Sequence, residues 1–383
     1  MICVSDVRVN QRTDILKKIF TKEESCRIED SAVDISFFEF KERGNDSNVR
    51  ELQHSFLIPS FIKTSDDAVN ENSSFRYPMV RPPHHNENAC ILLFHGLNER
   101  SWDKHAIWAE TLARMTGKPV ILFPIAFHIN RTPSSWYNPR VLMHWVADRR
   151  KRTASAENVT FANLALSSRL SSSPLRFYTS GRETCYDVAQ LMDNIKAGKH
   201  PYLNENTKID IFAYSIGALM SQIMLLSNYK NMFENARLFM FCGGSIFNMM
   251  NGNSPYIMDS QAFLDMIAYY QNDHLFQAIN NDDPFDLPFK SMIDANYYTD
   301  YRTDFFNKAQ NRIQIISLAK DKVIPYKGIC AALGAEAAAK CVIKLDYPFE
   351  YSHEMPFPTK MNATNEVDKM FMDVFGRAAN FLS

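Results

Sequence analysis

Three polar residues far apart in the chain have the types that acyl transfer requires: Ser215, Asp321 and His353. A hydroxyl attacks a carbonyl when a base removes its proton, and the base works when an acid orients it and stabilises its cation. The serine lies in Ala213-Tyr214-Ser215-Ile216-Gly217. Before it, Ile209, Ile211 and Ala213 alternate with Asp210 and Phe212, which predicts a strand. After it, Ile216, Leu219, Met220 and Ile223 fall on one face of a helix. Almost no room is left for a loop. A strand that turns straight into a helix places one residue at a cramped corner and needs small neighbours so that the backbones pass closely. Ala213, Gly217 and Ala218 are those neighbours. The corner lifts the Ser215 hydroxyl clear of the sheet, at the positive end of the helix. A serine at a helix start also serves as a plain N-cap, so the motif needs partners before it means chemistry.

Each partner follows a predicted strand, at the edge where open α/β sheets build their sites. Asp321 stands in Lys320-Asp321-Lys322-Val323-Ile324-Pro325 after the apolar run 312–318, and His353 in a polar loop after 341–347. Taken singly, Asp321 suits a turn cap and His353 a solvent-exposed loop. A fourth stretch, His95-Gly96-Leu97-Asn98, follows the apolar run 89–94.

The elements that must carry these residues alternate as strands and helices from residue 89 onward. Strands are predicted at 89–94, 119–124, 237–242, 312–318 and 341–347, besides the one before Ser215. Helices are predicted at about 102–115, 327–340 and around Val367, Met370, Phe371, Val374 and Ala378. Ser180-Gly-Arg-Glu183 reads as a capping box opening a helix with Val188, Leu191, Met192 and Ile195 on one face. Two segments break the rhythm. Residues 126–179, rich in Ser and Arg, read as an insertion over the sheet rim; residues 246–312, aromatic-rich, carry a helix from about Ser260. Upstream, a short helix is expected near Ile15, Leu16, Ile19 and Phe20, β-like stretches at 33–41 and 55–63, and a loop at 65–88 that contains Pro78, Pro82 and Pro83. No internal repeat is visible.

The Ala-x-Ser-x-Gly corner, the His-Gly pair, the Asp321 loop and the late histidine, in the chain order serine, acid, histidine, resemble the α/β-hydrolase superfamily. The topology agrees over residues 89–383, with Ala213 standing where that family usually has glycine. The resemblance implies an α/β-hydrolase fold, a mostly parallel central sheet flanked by helices with lid-like insertions. Residues 1–88 would add antiparallel strands and an extension, 89–383 would form the catalytic domain, and 246–312 would be the lid. It implies that Ser215 attacks, His353 carries the proton and Asp321 orients the imidazole. The backbone N–H groups of Leu97 and Ile216 would hold the oxyanion. His95, with Gly96 and Tyr214 in support, would hold the oxyanion loop and not act as the base; Asn98 would be either an extra donor or a turn former. Glycines 243 and 244 follow the run 237–242 where the family's other acid position lies, which leaves Asp321 as the acid. The expected activity is hydrolysis of a small carboxylic ester or related acyl compound, apolar or aromatic, without a cofactor. The same fold also serves thioesterases, peptidases, carbon–carbon hydrolases and inactive binding proteins.

Composition bounds the rest. Of 383 residues, 46% are apolar, enough for a large core, and the formal net charge of −1 gives no electrostatic basis for binding nucleic acid or a membrane surface. Seven scattered cysteines form no Cys-x-x-Cys or zinc-type spacing, and no basic-then-apolar leader opens the chain, so a reduced, cytoplasmic protein is expected. No run reaches membrane-spanning length. His84-His85 has no third ligand at metal spacing, Arg149–Arg152 reads as a solvated helix end, and no phosphate-cradling motif is present.

Overall fold

Nine strands pair into one sheet in the order β1-β2-β3-β5-β4-β6-β7-β8-β9. They are β1 (Cys26–Ile28), β2 (Val33–Lys41), β3 (Ser74–Arg81), β4 (Ala89–Phe94), β5 (Val120–Leu122), β6 (Lys208–Tyr214), β7 (Leu238–Phe241), β8 (Ile313–Leu318) and β9 (Val342–Leu345). The structure is a computed structural model and describes residues 8–43, 62, 65–272, 282–360 and 364–383. The first three strands and the β3–β5 junction are antiparallel, and from β5 across to β9 every pairing is parallel. This is the α/β-hydrolase fold, a mostly parallel sheet covered by helices with additional helical insertions.

Burial on both faces explains the unbroken apolar strands. All six residues of β4 are buried. Cys90, Leu92, Phe94, Ile211 and Ala213 enter the core on one face with helices Leu175–Lys196 and Ile216–Ser227. Ile91, Leu93, Phe212 and Tyr214 enter the core on the other, with helices Val9–Lys22, Asp103–Thr116 and Thr364–Leu382. The chain leaves β4 for β5 on one side and returns to β6 on the other. The carboxyl ends of β4 and β6 therefore flank a point where the winding reverses, and connections diverge there to leave a crevice.

Four local readings change. The 65–88 segment is not simply a loop, because Ser74–Arg81 is β3, paired along its length with β2. Pro78 is tolerated because β5 meets β3 only at Met79 and Val80, so one edge beside the proline has no ladder partner demanding an N–H. The helix expected to open at Ser180 begins at Leu175. Ser180 and Glu183 lie inside it, their side chains given to the Ala126 carbonyl and to Asn72 and Arg131. The 126–179 insertion accordingly ends where this helix starts. The helix expected at 327–340 is two, Tyr326–Leu333 and Ala335–Cys341, broken at Gly334 with φ +82°. The strand expected at 55–63 lies outside the described residues, apart from Ile62.

One close approach fixes the crevice. A Cβ on Gly217 would lie 2.7 Å from the His95 carbonyl oxygen and 2.8 Å from Phe94 Cβ, so the helix after β6 rests directly on the end of β4. Gly217→Ala is expected to lower the unfolding free energy by about 1–3 kcal/mol, as overpacking does. A denaturant midpoint equal to wild type would contradict the contact.

Candidate active site

Ser215 has φ +55° and ψ −120°, a conformation that non-glycine residues occupy only when the surroundings impose it. The imposing contacts are specific. Its N–H donates to the Phe241 carbonyl, and the Gly217 N–H donates to the His95 carbonyl at 3.2 Å. Gly243, just past β7, lies under the corner; a Cβ there would meet Ala218 Cβ at 2.4 Å and the Ser215 backbone at 3.1–3.2 Å. The glycine pair after β7 thus has a packing reason that the motif alone did not reveal.

From this corner the Ser215 hydroxyl reaches His353 Nε2 at 2.7 Å, and His353 Nδ1 lies 2.8 Å from Asp321 Oδ2. The carboxylate can only accept, so Nδ1 carries the imidazole proton and Nε2 presents its lone pair to the serine hydroxyl. The other oxygen of Asp321 accepts the N–H groups of Val323 and Ile324 at 2.9 and 2.8 Å, which fixes the carboxylate plane. Ser215, Asp321 and His353 are all buried. Side chains from the ends of β6, β8 and β9 therefore form one hydrogen-bonded serine–histidine–aspartate triad. Its chemistry is removal of the serine proton by imidazole as the oxygen attacks a carbonyl.

Leu97 and Ile216, the residue after the serine, line one largely apolar cleft. Within residues 215–218, Ser215, Gly217 and Ala218 give their N–H groups to backbone carbonyls, whereas that of Ile216 meets no described acceptor. His95 is fully buried; its Nε2 accepts the Ile125 N–H at 2.9 Å and its Nδ1–H donates to the Gly96 carbonyl at 2.8 Å. Burial holds this imidazole well below its ordinary pKa, so it stays neutral and both nitrogens are committed to the loop. Gly96 packs against the Tyr214 ring, where a Cβ would come within 3.0 Å. Asn98 lies apart from this group in function. With φ +62° it is a turn former, and both amide hydrogens go to the Ala162 and Tyr256 carbonyls at 2.9 and 2.6 Å. It ties the two inserted segments together and has no donor left for an oxyanion.

The support for His353 joins Tyr214 to residues that the sequence did not single out. The Tyr214 hydroxyl donates to the His353 carbonyl, and the two rings lie nearly parallel with centroids 5.4 Å apart. Lys104 sits 4.5 Å from the Tyr214 ring centre, donates to the Glu354 carbonyl at 2.9 Å and pairs with Glu99 at 2.5 Å. Glu354 also accepts from Ser254. Lys104 occupies a helix position that no motif marks; only its contacts across space give it meaning.

The remaining sequence signals have structural work. Arg149 pairs with buried Asp259, Arg150 donates to the Val159 carbonyl at 2.8 Å, and Arg152 pairs with Asp148 at 2.9 Å. Phe285 and Phe289 from the aromatic segment form part of the cleft wall, while Phe247 and Tyr270 pack on Phe177 beside it. Among the described residues no group of three His, Cys, Asp or Glu side chains could hold a metal ion, and no helix is long and apolar enough to cross a membrane.

A family profile, DUF6051, matches residues 7–383. The chain belongs to DUF6051, a family of unknown function. No curated protein matches it. Among solved structures, this DUF6051 chain is similar to a thermostable esterase from Pseudomonas putida, with 10% identity, 100% of this chain and 93% of that one covered, and a TM-score of 0.45. It is similar also to an esterase from the archaeon Pyrobaculum calidifontis, with 12% identity, coverage of 99% and 92%, and a TM-score of 0.46. Carboxyl esterase 2 of the mycorrhizal fungus Tuber melanosporum gives 11% identity, coverage of 90% and 89%, and a TM-score of 0.44.

Tyr214→Phe removes the hydroxyl that holds the His353 carbonyl and leaves the ring stack in place. The expected result is a roughly tenfold fall in kcat on any turned-over ester, with KM little changed, since small displacement of a base is costly to rate. An unaltered kcat would separate the tyrosine from histidine positioning.

Proposed function

We propose that this protein is a serine hydrolase that cleaves a carboxylic ester through an acyl-enzyme intermediate. The observation that carries the proposal is the continuous chain from Ser215 Oγ to His353 Nε2 at 2.7 Å and from His353 Nδ1 to Asp321 Oδ2 at 2.8 Å. In this reading His353 takes the serine proton as Ser215 Oγ bonds to the substrate carbonyl carbon. The N–H groups of Leu97 and Ile216 hold the oxyanion. The imidazolium, stabilised by Asp321, then gives its proton to the leaving alcohol oxygen as the carbon–oxygen bond breaks. Water, activated by the same imidazole, cleaves the acyl-enzyme and restores the serine.

The cleft favours a small acyl compound over an extended peptide. Its wall is Leu97, Ile125, Phe177, Leu219, Met220 and Ile223 with other apolar side chains. The polar groups in that wall are largely engaged: the Tyr178 hydroxyl with Asp286, Arg182 with Asp283 at 2.5 Å. A peptide backbone buried there would find few partners, whereas an apolar or aromatic acyl group would need none. We also propose a cytoplasmic location on the cysteine pattern; cell fractionation tests it.

A fluorophosphonate probe followed by peptide mass spectrometry tests the nucleophile. The expected adduct is on Ser215, absent after His353→Ala. Ser215→Ala is expected to lower ester turnover by at least about 10⁴-fold with the thermal midpoint retained, and Asp321→Asn by about 10³–10⁴-fold. Undiminished turnover in Ser215→Ala would reject the proposal.

A further inference from the structure

A second cleft, of about 410 Å³, opens on the other side of the loop that follows β4. Leu97 faces the first cleft, while Asn98, Glu99 and Arg100 face the second, and His128 is the residue common to both walls. Glu99 is paired with Lys104 at 2.5 Å, and Arg169 shares Asp66 with Arg176. Arg100 gives one N–H to the Ala162 carbonyl, and no carboxylate among the described residues pairs with its guanidinium. The Tyr137 phenol, in the same wall, is an ionisable neighbour of the guanidinium. Burial without a counter-ion pushes the guanidinium down to about 10, still fully charged at neutral pH. A largely desolvated cation lacking its anion is costly to keep.

The wall between the clefts is built with comparable strain. Phe127 and Ile129 flank His128 with φ +62° and +52°, values that bulky and β-branched residues seldom adopt. The Ile129 N–H donates to the Glu99 carbonyl at 3.1 Å, which ties this strained turn to the Arg100 loop. His128 is 5% exposed; its Nδ1–H donates to the Ala126 carbonyl at 2.8 Å, and its buried Nε2 has no partner among the described residues. Burial lowers its pKa to about 4, so Nε2 is an acceptor at neutral pH.

We propose that the second cleft is a substrate subsite in which Arg100 binds a carboxylate on one half of the ester, with His128 accepting a hydrogen bond from a polar group between the two clefts. This rests on the serine-hydrolase reading above. A guanidinium that no carboxylate among the described residues meets attracts an anion, and its planar fork fits a carboxylate.

The test compares kcat/KM for para-nitrophenyl butyrate, mono-para-nitrophenyl glutarate and para-(butyryloxy)benzoate, which are neutral, charged on the acyl half and charged on the leaving half. The full chain is used as wild type, Arg100→Met, Arg100→Lys and Lys151→Met, the last removing an exposed lysine on helix Pro139–Arg152. One carboxylate ester is expected to be preferred over the neutral ester by about tenfold or more. That ratio should fall to near one in Arg100→Met, recover in part in Arg100→Lys and persist in Lys151→Met. Ratios within one variant cancel any general loss of folded enzyme. Charge-blind wild type, a preference that survives Arg100→Met, or an equal loss in Lys151→Met would overturn the subsite. Should no ester be hydrolysed, the hydrolase reading fails by itself. Calorimetric titration of Ser215→Ala protein with monomethyl and dimethyl glutarate then decides the subsite: tighter binding of the monoanion that requires Arg100 keeps it, and equal or no binding rejects it.

Discussion

The contact on which the site depends is the near touch between the end of β4 and the helix that follows β6. Gly217 leaves no room for a Cβ against the His95 carbonyl and Phe94, and Gly243 leaves none against Ala218 and the Ser215 backbone. These two approaches, from neighbouring strands on either side, squeeze the serine into φ +55°. A residue held at such an angle stores strain that the packing of both sheet faces must offset. The same squeeze puts the hydroxyl within 2.7 Å of His353 Nε2. The position of the nucleophile is a consequence of that steric constraint.

The base is held by a different kind of contact. His353 comes from a loop after the last strand, where no ladder fixes the backbone. The Tyr214 hydroxyl, one residue before the serine, holds the His353 carbonyl, and Lys104 holds that of Glu354. Lys104 in turn rests on the Tyr214 ring and on Glu99. The loop bearing the histidine is thereby tied to the strand bearing the serine and to the loop after β4. This order is electrostatic and sits in a largely buried setting, where hydrogen bonds gain strength and unpaired groups are costly.

The insertions are joined to the body by buried polar contacts as well as by apolar packing. Asn98 spans from the loop after β4 to both inserted segments through the Ala162 and Tyr256 carbonyls. Arg131, fully buried, meets Asn72, Glu183 and Asp187 and stacks on Phe75. Arg149 meets Asp259. Arg131 and Arg149, read in the sequence as parts of an Arg-rich insertion and of a solvated helix end, are thus counter-ions for carboxylates placed more than fifty residues away. Arg100, which meets no such carboxylate among the described residues, stands out against that pattern.

How much was legible in the chain follows from the range of the forces involved. Strand-to-helix corners, small residues at close approach and apolar alternation are local, so β4, β6, the Ser215 corner and the order of serine, acid and histidine could be read directly. Pro78 misled because proline forbids a paired edge only where a partner demands an N–H, and the partner is decided by β5. Ser180 and Glu183 misled because a capping pair and two tertiary ligands share one spelling. The distances among Ser215, His353 and Asp321, the spent amide of Asn98, the roles of Lys104 and Gly243, and the second cleft with its unmatched Arg100 depend on residues that only the folded sheet brings together. A sequence records which groups a chain owns. The sheet, by closing β4 against β6 and hanging three loops from one edge, decides which of them meet.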